Sequence, residues 1–414
     1  VSPSAIDKPV LFVTGHAPFD RVGAFARLHE REGVEYALFG GRAQHGGLDA
    51  PGSASGLASG LLTSGLASGL TSGPALPFPH RHVRQRELAR VAASGRHRAV
   101  VVSTSGRVAL PAAWAGARRA GVPVILWSAL WAHPRTPAHA FSWLALRRLY
   151  HTADAVVAYG SHVEAYARAG GARNVHVARQ AVDNDFWSAA DVRPPAARAW
   201  PSETTVTFLF AGRPLREKGV GVLMQAWSDS GLLAPSAALV LVGVGSTPPW
   251  IPADGAVWSI ARRARHTHGG ASTVMPGNVL GLDPVPPARL RDLYADADVL
   301  VVPSIATRTF REPWGLVVNE AMNRNLPVIA TDAVGAVAGG LVRHDRNGLV
   351  VPAGDAHALA GAMRQLAADP ALRTRLGETG RRDVQAYTYD AWAKGFSKAL
   401  ASLRISRASR WGRW

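Results

Sequence analysis

The feature that most constrains this chain is an alternation, run through twice, of short apolar segments with longer segments of helical pattern. From Val10 to about Val177 the apolar runs are VLFVT, AVVVS, VPVILW, AVVAY and VHVA, and the segments 21–32, 81–94, 107–119, 137–150 and 160–169 carry the mixed pattern. A strand that is apolar at nearly every position is buried on both faces, which points to a mostly parallel sheet with crossover helices. After the Pro-rich stretch DVRPPAARAWPSE the alternation restarts with TVTFLFAG, AALVLVGVG, ADVLVVPS and LPVIAT. The reading is an α/β chain of two Rossmann-like halves, residues 1–195 and 196–385. At 386–404 Trp392, Phe396, Leu400 and Leu403 share one helical face, so a docked last helix is expected, followed by a basic tail over 405–414. One segment departs from the pattern. Residues 44–77, with the repeats GSASGLASGLLTSGLASGLTSG, read as a flexible low-complexity insertion.

Composition narrows the classes. Apolar residues make up 47% and charged residues 18%, which excludes wholesale disorder. With no cysteine there is no disulfide framework, thiolate metal site or cysteine nucleophile. A formal charge of +17 favours polyanionic partners, namely nucleic acid, nucleotide diphosphates or an anionic lipid surface. Only four of the 46 basic residues are lysines, so an Arg-rich composition accounts for the excess equally well. No apolar run approaches the ~20 residues of a membrane span, and the first residues read as a strand rather than a secretory signal. A cytoplasmic protein is the expectation.

The stretch richest in chemistry is TFREPWGLVVNEAMNRNLPVIATD. Pro313 suits a first helical turn, and Gly315 lets backbone approach a ligand closely. The N–H groups of Gly315, Leu316 and Val317 are then expected to point at one spot, a ready site for a diphosphate. Glu320 is expected to face the same place about one turn deeper, while Glu312 accepts hydrogen bonds from ligand hydroxyls. Carboxylates beside phosphates imply a sugar.

These residues resemble glycosyltransferase family 4, the retaining nucleotide-sugar transferases of GT-B architecture, marked by a Glu, seven residues, then Glu. Upstream, FAGRPLREKGVGVLMQAW is similar to that family's Gly-Arg and Lys-Gly pair, here Gly212-Arg213 and Lys218. VLVGVG with Gly243, NVLGLD with Leu280, DLYADADVLVVPS and RNGLVVPAGD resemble its next elements in order, and ARQAVDNDFW its link between halves. The resemblance implies two Rossmann-like domains facing a cleft, the first for the acceptor and the second for the donor, with the last helix crossing back. It implies that Arg213 and Lys218 neutralise the donor diphosphate, that Glu320 holds the ribose and that Glu312 touches the donor sugar; Gly212, Gly243, Leu280, Gly315, Leu316 and Val317 complete the donor side. A leaving nucleotide diphosphate gains charge in the transition state, and preorganised cations and amides stabilise it.

On the acceptor side the family's Gly-Gly pair is reduced in GHAPFDRVGAF to Gly23, and His133, with Trp127 and Trp131 flanking, stands where the family often places a histidine; a structural histidine is the other reading. Asn325 replaces a helix-ending Gly and keeps the left-handed cap. No cofactor is implied beyond a UDP- or GDP-sugar donor, and no metal: Asp296-Ala297-Asp298 reads as a solvated helix end, Asp183-Asn184-Asp185 falls in the link, and His266 and His268 lack carboxylate company.

The expected activity is hexose transfer with retention to a sugar, lipid-linked or polymer acceptor, as in glycolipid or surface-polysaccharide synthesis, with an anionic membrane face as a further partner through the tail. Two rivals stay open. One is a nucleotide-sugar epimerase or phosphorylase on the same fold. The other is a nucleic-acid or anionic-surface binder, disfavoured because the basic run PHRHVRQRELARVAASGRHR lacks interleaved aromatics.

Overall fold

The computed structural model describes residues 8–40, 76–104, 106, 108–134, 136–189, 204–233, 235–245, 273–275 and 278–411. These described residues fall into two units, one of those up to Asp183 together with those from Tyr387 on, the other of those between Asn184 and Ala386. The insertion read at 44–77 lies outside the described residues except for Leu76 and Pro77. The whole Pro-rich link DVRPPAARAWPSE, His266, His268 and the side chains of the basic tail lie outside them too.

The first unit is a seven-stranded sheet of β1 (Val10–Thr14), β2 (Val34–Leu38), β3 (His80–His82), β4 (Ala99–Ser103), β5 (Val124–Ser128), β6 (Ala155–Ala158) and β7 (Val175–Val177). The order is β3-β2-β1-β4-β5-β6-β7 and every pair is parallel. β1, β4, β5 and β6 are buried at every position, which is why they read as unbroken apolar runs. β2 escaped that reading because Glu35 interrupts VEYAL. The segment 81–94, expected as one helix, divides into β3, a 3₁₀ turn at Gln85–Glu87 and a short helix Leu88–Ala92. There the pairing of His80–His82 with Tyr36–Leu38 overrides local pattern.

The last helix, Tyr389–Trp411, contributes to this unit's core. Trp392 and Phe396 are fully buried, and their rings meet Phe25 and Phe12 at 5.8 and 5.5 Å. Gly395 is required here, because a Cβ would press on Val177 O and Ala178.

The second unit repeats the plan with β8 (Val206–Ala211), β9 (Ala237–Val242), β10 (Thr273–Met275), β11 (Val279–Leu282), β12 (Val299–Val302), β13 (Val328–Thr331) and β14 (Gly348–Val351), ordered β10-β11-β9-β8-β12-β13-β14. Its pairs are parallel except β10 with β11. The unit begins at Asn184, earlier than the expected 196, because Trp187 is buried at 1% exposure with its ring 5.8 Å from that of Tyr294. Asn323 donates to Asn184 Oδ1 at 2.8 Å and holds the same segment. Among the described residues no helix is long and apolar enough to cross a membrane.

Candidate active site

In the second sheet the strand order reverses between β8 and β12, and open α/β sheets bind ligands beyond the carboxyl ends of the strands at such a point. The loops leaving these two strands carry the Gly212–Gly219 and Glu312–Val317 motifs. Two backbone contacts stitch them in place. Gly243, at φ +85°, sits where a Cβ would come 2.6 Å from Gly212 O, so the turns after β8 and β9 pack backbone on backbone. Gly219, at φ +71°, packs its Cα against Pro303 O, and Ile305 N donates to Glu217 O at 2.9 Å. Only glycine meets both demands at position 219.

This stitching brings together two residues 94 positions apart: Lys218 Nζ donates to Glu312 Oε2 at 2.5 Å. Their side chains are 15% and 8% exposed, and Ser304 Oγ donates to the same carboxylate oxygen at 3.4 Å. Glu312 is fixed through its backbone as well. It bridges to Val334, Gly335 N donates to its carbonyl at 3.1 Å, and Ala336 N donates to Trp314 O at 2.8 Å. Trp314 is buried and donates from Nε1 to Asn319 Oδ1 at 2.8 Å, which pins the Pro-Trp-Gly turn to the helix it opens.

That helix is short, Val317–Met322. Gly315 takes φ +89°, and the amides of Gly315, Leu316 and Val317 donate to no acceptor among the described residues. With six residues the helix has little macrodipole, so any anion preference there rests on the amides themselves. Arg213 is half-buried, and its Nε makes no hydrogen bond among the described residues.

Glu320 is placed otherwise than expected. It is fully buried rather than facing a ligand, and accepts a hydrogen bond from Tyr294 OH at 2.9 Å. Burial, then the charge of Glu320 and this bond, hold the Tyr294 hydroxyl well above its usual range, so it stays a donor. Leu280 also departs from its expected place. It lies inside β11 in register with Val240, away from the loops that follow the strands. Asn325 does adopt the left-handed cap, at φ 58°. Sequence reasoning passed over Ser304, Asn319 and Tyr294, whose only signal was their proximity to the motifs.

In the first unit the acceptor-side residues scatter. Trp127 is inside β5, 6% exposed, with its ring 5.4 Å from Phe12 and 5.9 Å from Trp392, so it is core rather than a sugar platform. Gly23 is inside the helix Phe19–Glu32, where a Cβ would strike the ring of Tyr389. Its role is close approach to the last helix. Trp131 and His133 do follow the end of β5 and are half-buried, Trp131 edge-on to His162 at 5.0 Å and His133 beside Trp143 at 5.2 Å. Asp298, expected as solvated, accepts from Thr207 N at 2.7 Å and anchors the start of β8. Among the described residues there is no group of three His, Asp or Glu arranged to hold a metal.

Residues 195–383 match the family model for glycosyl transferases group 1. Over 207 residues the chain is 30% identical to a D-inositol 3-phosphate glycosyltransferase of Rhodococcus opacus, covering 50% of this chain and 42% of that protein. A protein of the same description from Streptomyces avermitilis is 29% identical over 300 residues, covering 68% and 60%. The chain thus spans less than two thirds of the length of these relatives. Among solved structures, Anabaena HepE in complex with UDP and glucose is similar at TM-score 0.62 and 16% identity, covering 95% of this chain and all of that one. A sucrose-phosphate synthase from Thermosynechococcus elongatus is similar at TM-score 0.63 and 20% identity, covering 96% and 100%. The fold is GT-B.

Proposed function

We propose that the protein is a retaining, family 4 glycosyltransferase that moves a hexose from a UDP- or GDP-sugar to an acceptor hydroxyl. The observation that carries this reading is the Lys218–Glu312 pair at 2.5 Å, set at the switch point of the second sheet beside Arg213 and the amides of Gly315–Val317. Lys218 and Arg213 neutralise charge on the departing diphosphate, which is where fixed cations act most strongly. Glu312, already committed to Lys218, accepts donor sugar hydroxyls through its remaining lone pairs and is not a nucleophile. Departure and attack then occur on one face, and the leaving phosphate oxygen takes the acceptor proton. Glu320 reaches a ribose only if the side chains covering it move.

HepE's complex with UDP and glucose makes UDP-glucose the first donor to try, and the names of the relatives make sugar and cyclitol phosphates the first acceptors. A lipid-linked or polymer acceptor at an anionic membrane face is part of the proposal, through exposed Lys394 and Lys398 on the last helix and the basic residues after them. The experiment is nucleotide release from UDP-glucose and GDP-mannose with and without an acceptor panel. Acceptor-dependent release with an α-linked product is expected. Product of inverted configuration, or a free epimerised nucleotide sugar, overturns the reading.

A further inference from the structure

The first sheet has a switch point of its own, between β1 and β4, and a charged cluster stands there that the proposed donor chemistry leaves unused. Asp20 and Arg21 open the helix that follows β1, Tyr159 follows β6, and Gln180 follows β7. All lie at the carboxyl ends of parallel strands. Arg21 is 5% exposed, and its guanidinium is clamped from several sides. One amino group donates to Gln180 Oε1, Nε pairs with Asp20 Oδ2 at 3.4 Å, and the group lies 6.0 Å from the ring centre of Trp127 and 5.7 Å from that of Tyr159. Gln180, fully buried, is itself oriented by its bond to Ala178 O at 3.1 Å.

Asp20 is held but not satisfied. The residue is 7% exposed, and its carboxylate makes only the 3.4 Å ion pair, with no hydrogen bond among the described residues. A carboxylate oxygen has lone pairs for several donors, and those of Asp20, which are not fully covered by the fold, stay open to a donor that reaches them. The second amino group of Arg21 is likewise buried without a hydrogen bond. The pair is neutral overall, so it does not attract an anion as an isolated arginine would. What it lacks is O–H donors for the carboxylate and an oxygen acceptor for the amino group, and adjacent hydroxyls of one ring supply both.

We infer that Asp20 binds hydroxyl groups of a polyhydroxylic ring, a sugar or cyclitol acceptor, and that Arg21 is the positioning residue that fixes its carboxylate. The inference rests on the glycosyltransferase reading, since that reading requires a hydroxylic second substrate. Asp20→Asn keeps the shape and replaces an acceptor by a donor. Asp20→Glu keeps the charge and moves it. Arg21→Lys keeps the ion pair and loses the fork to Gln180.

The test uses the full chain and myo-inositol as a neutral ring probe, followed by saturation-transfer NMR, with UDP affinity measured on the same samples by calorimetry. Wild type is expected to show probe binding that falls about tenfold or more in Asp20→Asn and less in Arg21→Lys, with UDP affinity unchanged in all variants. No probe signal in wild type, or equal signals in wild type, Asp20→Asn and Asp20→Glu, overturns the assignment. Binding of inorganic phosphate in place of myo-inositol, lost in Arg21→Lys, overturns it in favour of an anion site. Absence of UDP binding in wild type counts instead against the donor reading, so the two failures are distinguishable.

Discussion

On the proposed reading, Lys218 ties stability to catalysis in a single contact. Reading the motif alone, one expects Lys218→Ala to lower turnover by about a hundredfold, as loss of one transition-state donor does, and to leave melting unchanged. The ion pair changes the second half of that expectation. Removing the ammonium deletes the 2.5 Å contact to Glu312, whose side chain is 8% exposed, and the fold should lose about 1–3 kcal/mol. Lys218→Ala/Glu312→Gln should recover much of the melting temperature and none of the turnover; recovery of turnover would remove Lys218 from the chemistry. Glu320 invites a parallel experiment. If it holds a ribose, Glu320→Ala weakens UDP binding by about tenfold or more in calorimetry. If it serves only Tyr294, melting falls and UDP affinity stays as it was.

Among the elements, the loop after β8 depends on one position. Gly219→Ala must place a methyl group against Pro303 O and hold a left-handed backbone, so a loss of about 1–3 kcal/mol is expected, together with a steep fall in turnover as Lys218 shifts. A variant melting like wild type with full activity would show the loop to be free of that strand.

The turn that enters β4 in the first sheet gives a pH-dependent counterpart. Burial lowers the pKa of His97 from its ordinary value, against the opposing pull of Glu35 at 3.5 Å and with Arg81 and Arg96 adding to the lowering. Because the folded pKa lies below the unfolded one, the unfolded chain binds the proton more tightly. The contribution is therefore full above about pH 6.5 and is lost as pH falls through the folded value. His176, also lowered by burial, acts in the same direction. Thermal melts across pH 7.5 to 5 should show a steeper decline for wild type than for His97→Gln. Parallel curves would mean that His97 does not contribute.

At the scale of the whole molecule, the sequence was most legible where buried strands write themselves as apolar runs, and where the second unit's motifs sit on loops whose glycines are dictated by backbone contact. It was least legible where tertiary packing decides. Trp127 looks like a sugar platform in a string of letters and is core because β5 runs one residue past it. Gly23 looks like a ligand turn and is a helix crossing. Glu320 carries the family's spacing, yet only the fold shows Tyr294 waiting for it. The FDR triplet at Phe19–Arg21 carried no signal at all, since Gln180 and Asp20 meet through Arg21 across 159 residues of chain.

The placement of the last helix also sets an order of assembly. The first unit's core takes Trp392, Phe396, Leu400 and Leu403 from the far end of the chain, while the second unit is continuous from Asn184 to Ala386. During synthesis the first-begun unit therefore finishes last: its strands must wait, partly uncovered, until the whole of the second has emerged. A chain stopped after Ala386 should keep a cooperative nucleotide-stabilised melt from the second unit, and expose the aromatic face of the first to a hydrophobic dye. If such a chain buries that face as wild type does, the helix is an ornament rather than the closing piece. With the helix as the closing piece, chaperone dependence should track the length of the interval between Asp183 and Tyr389 rather than the stability of either half.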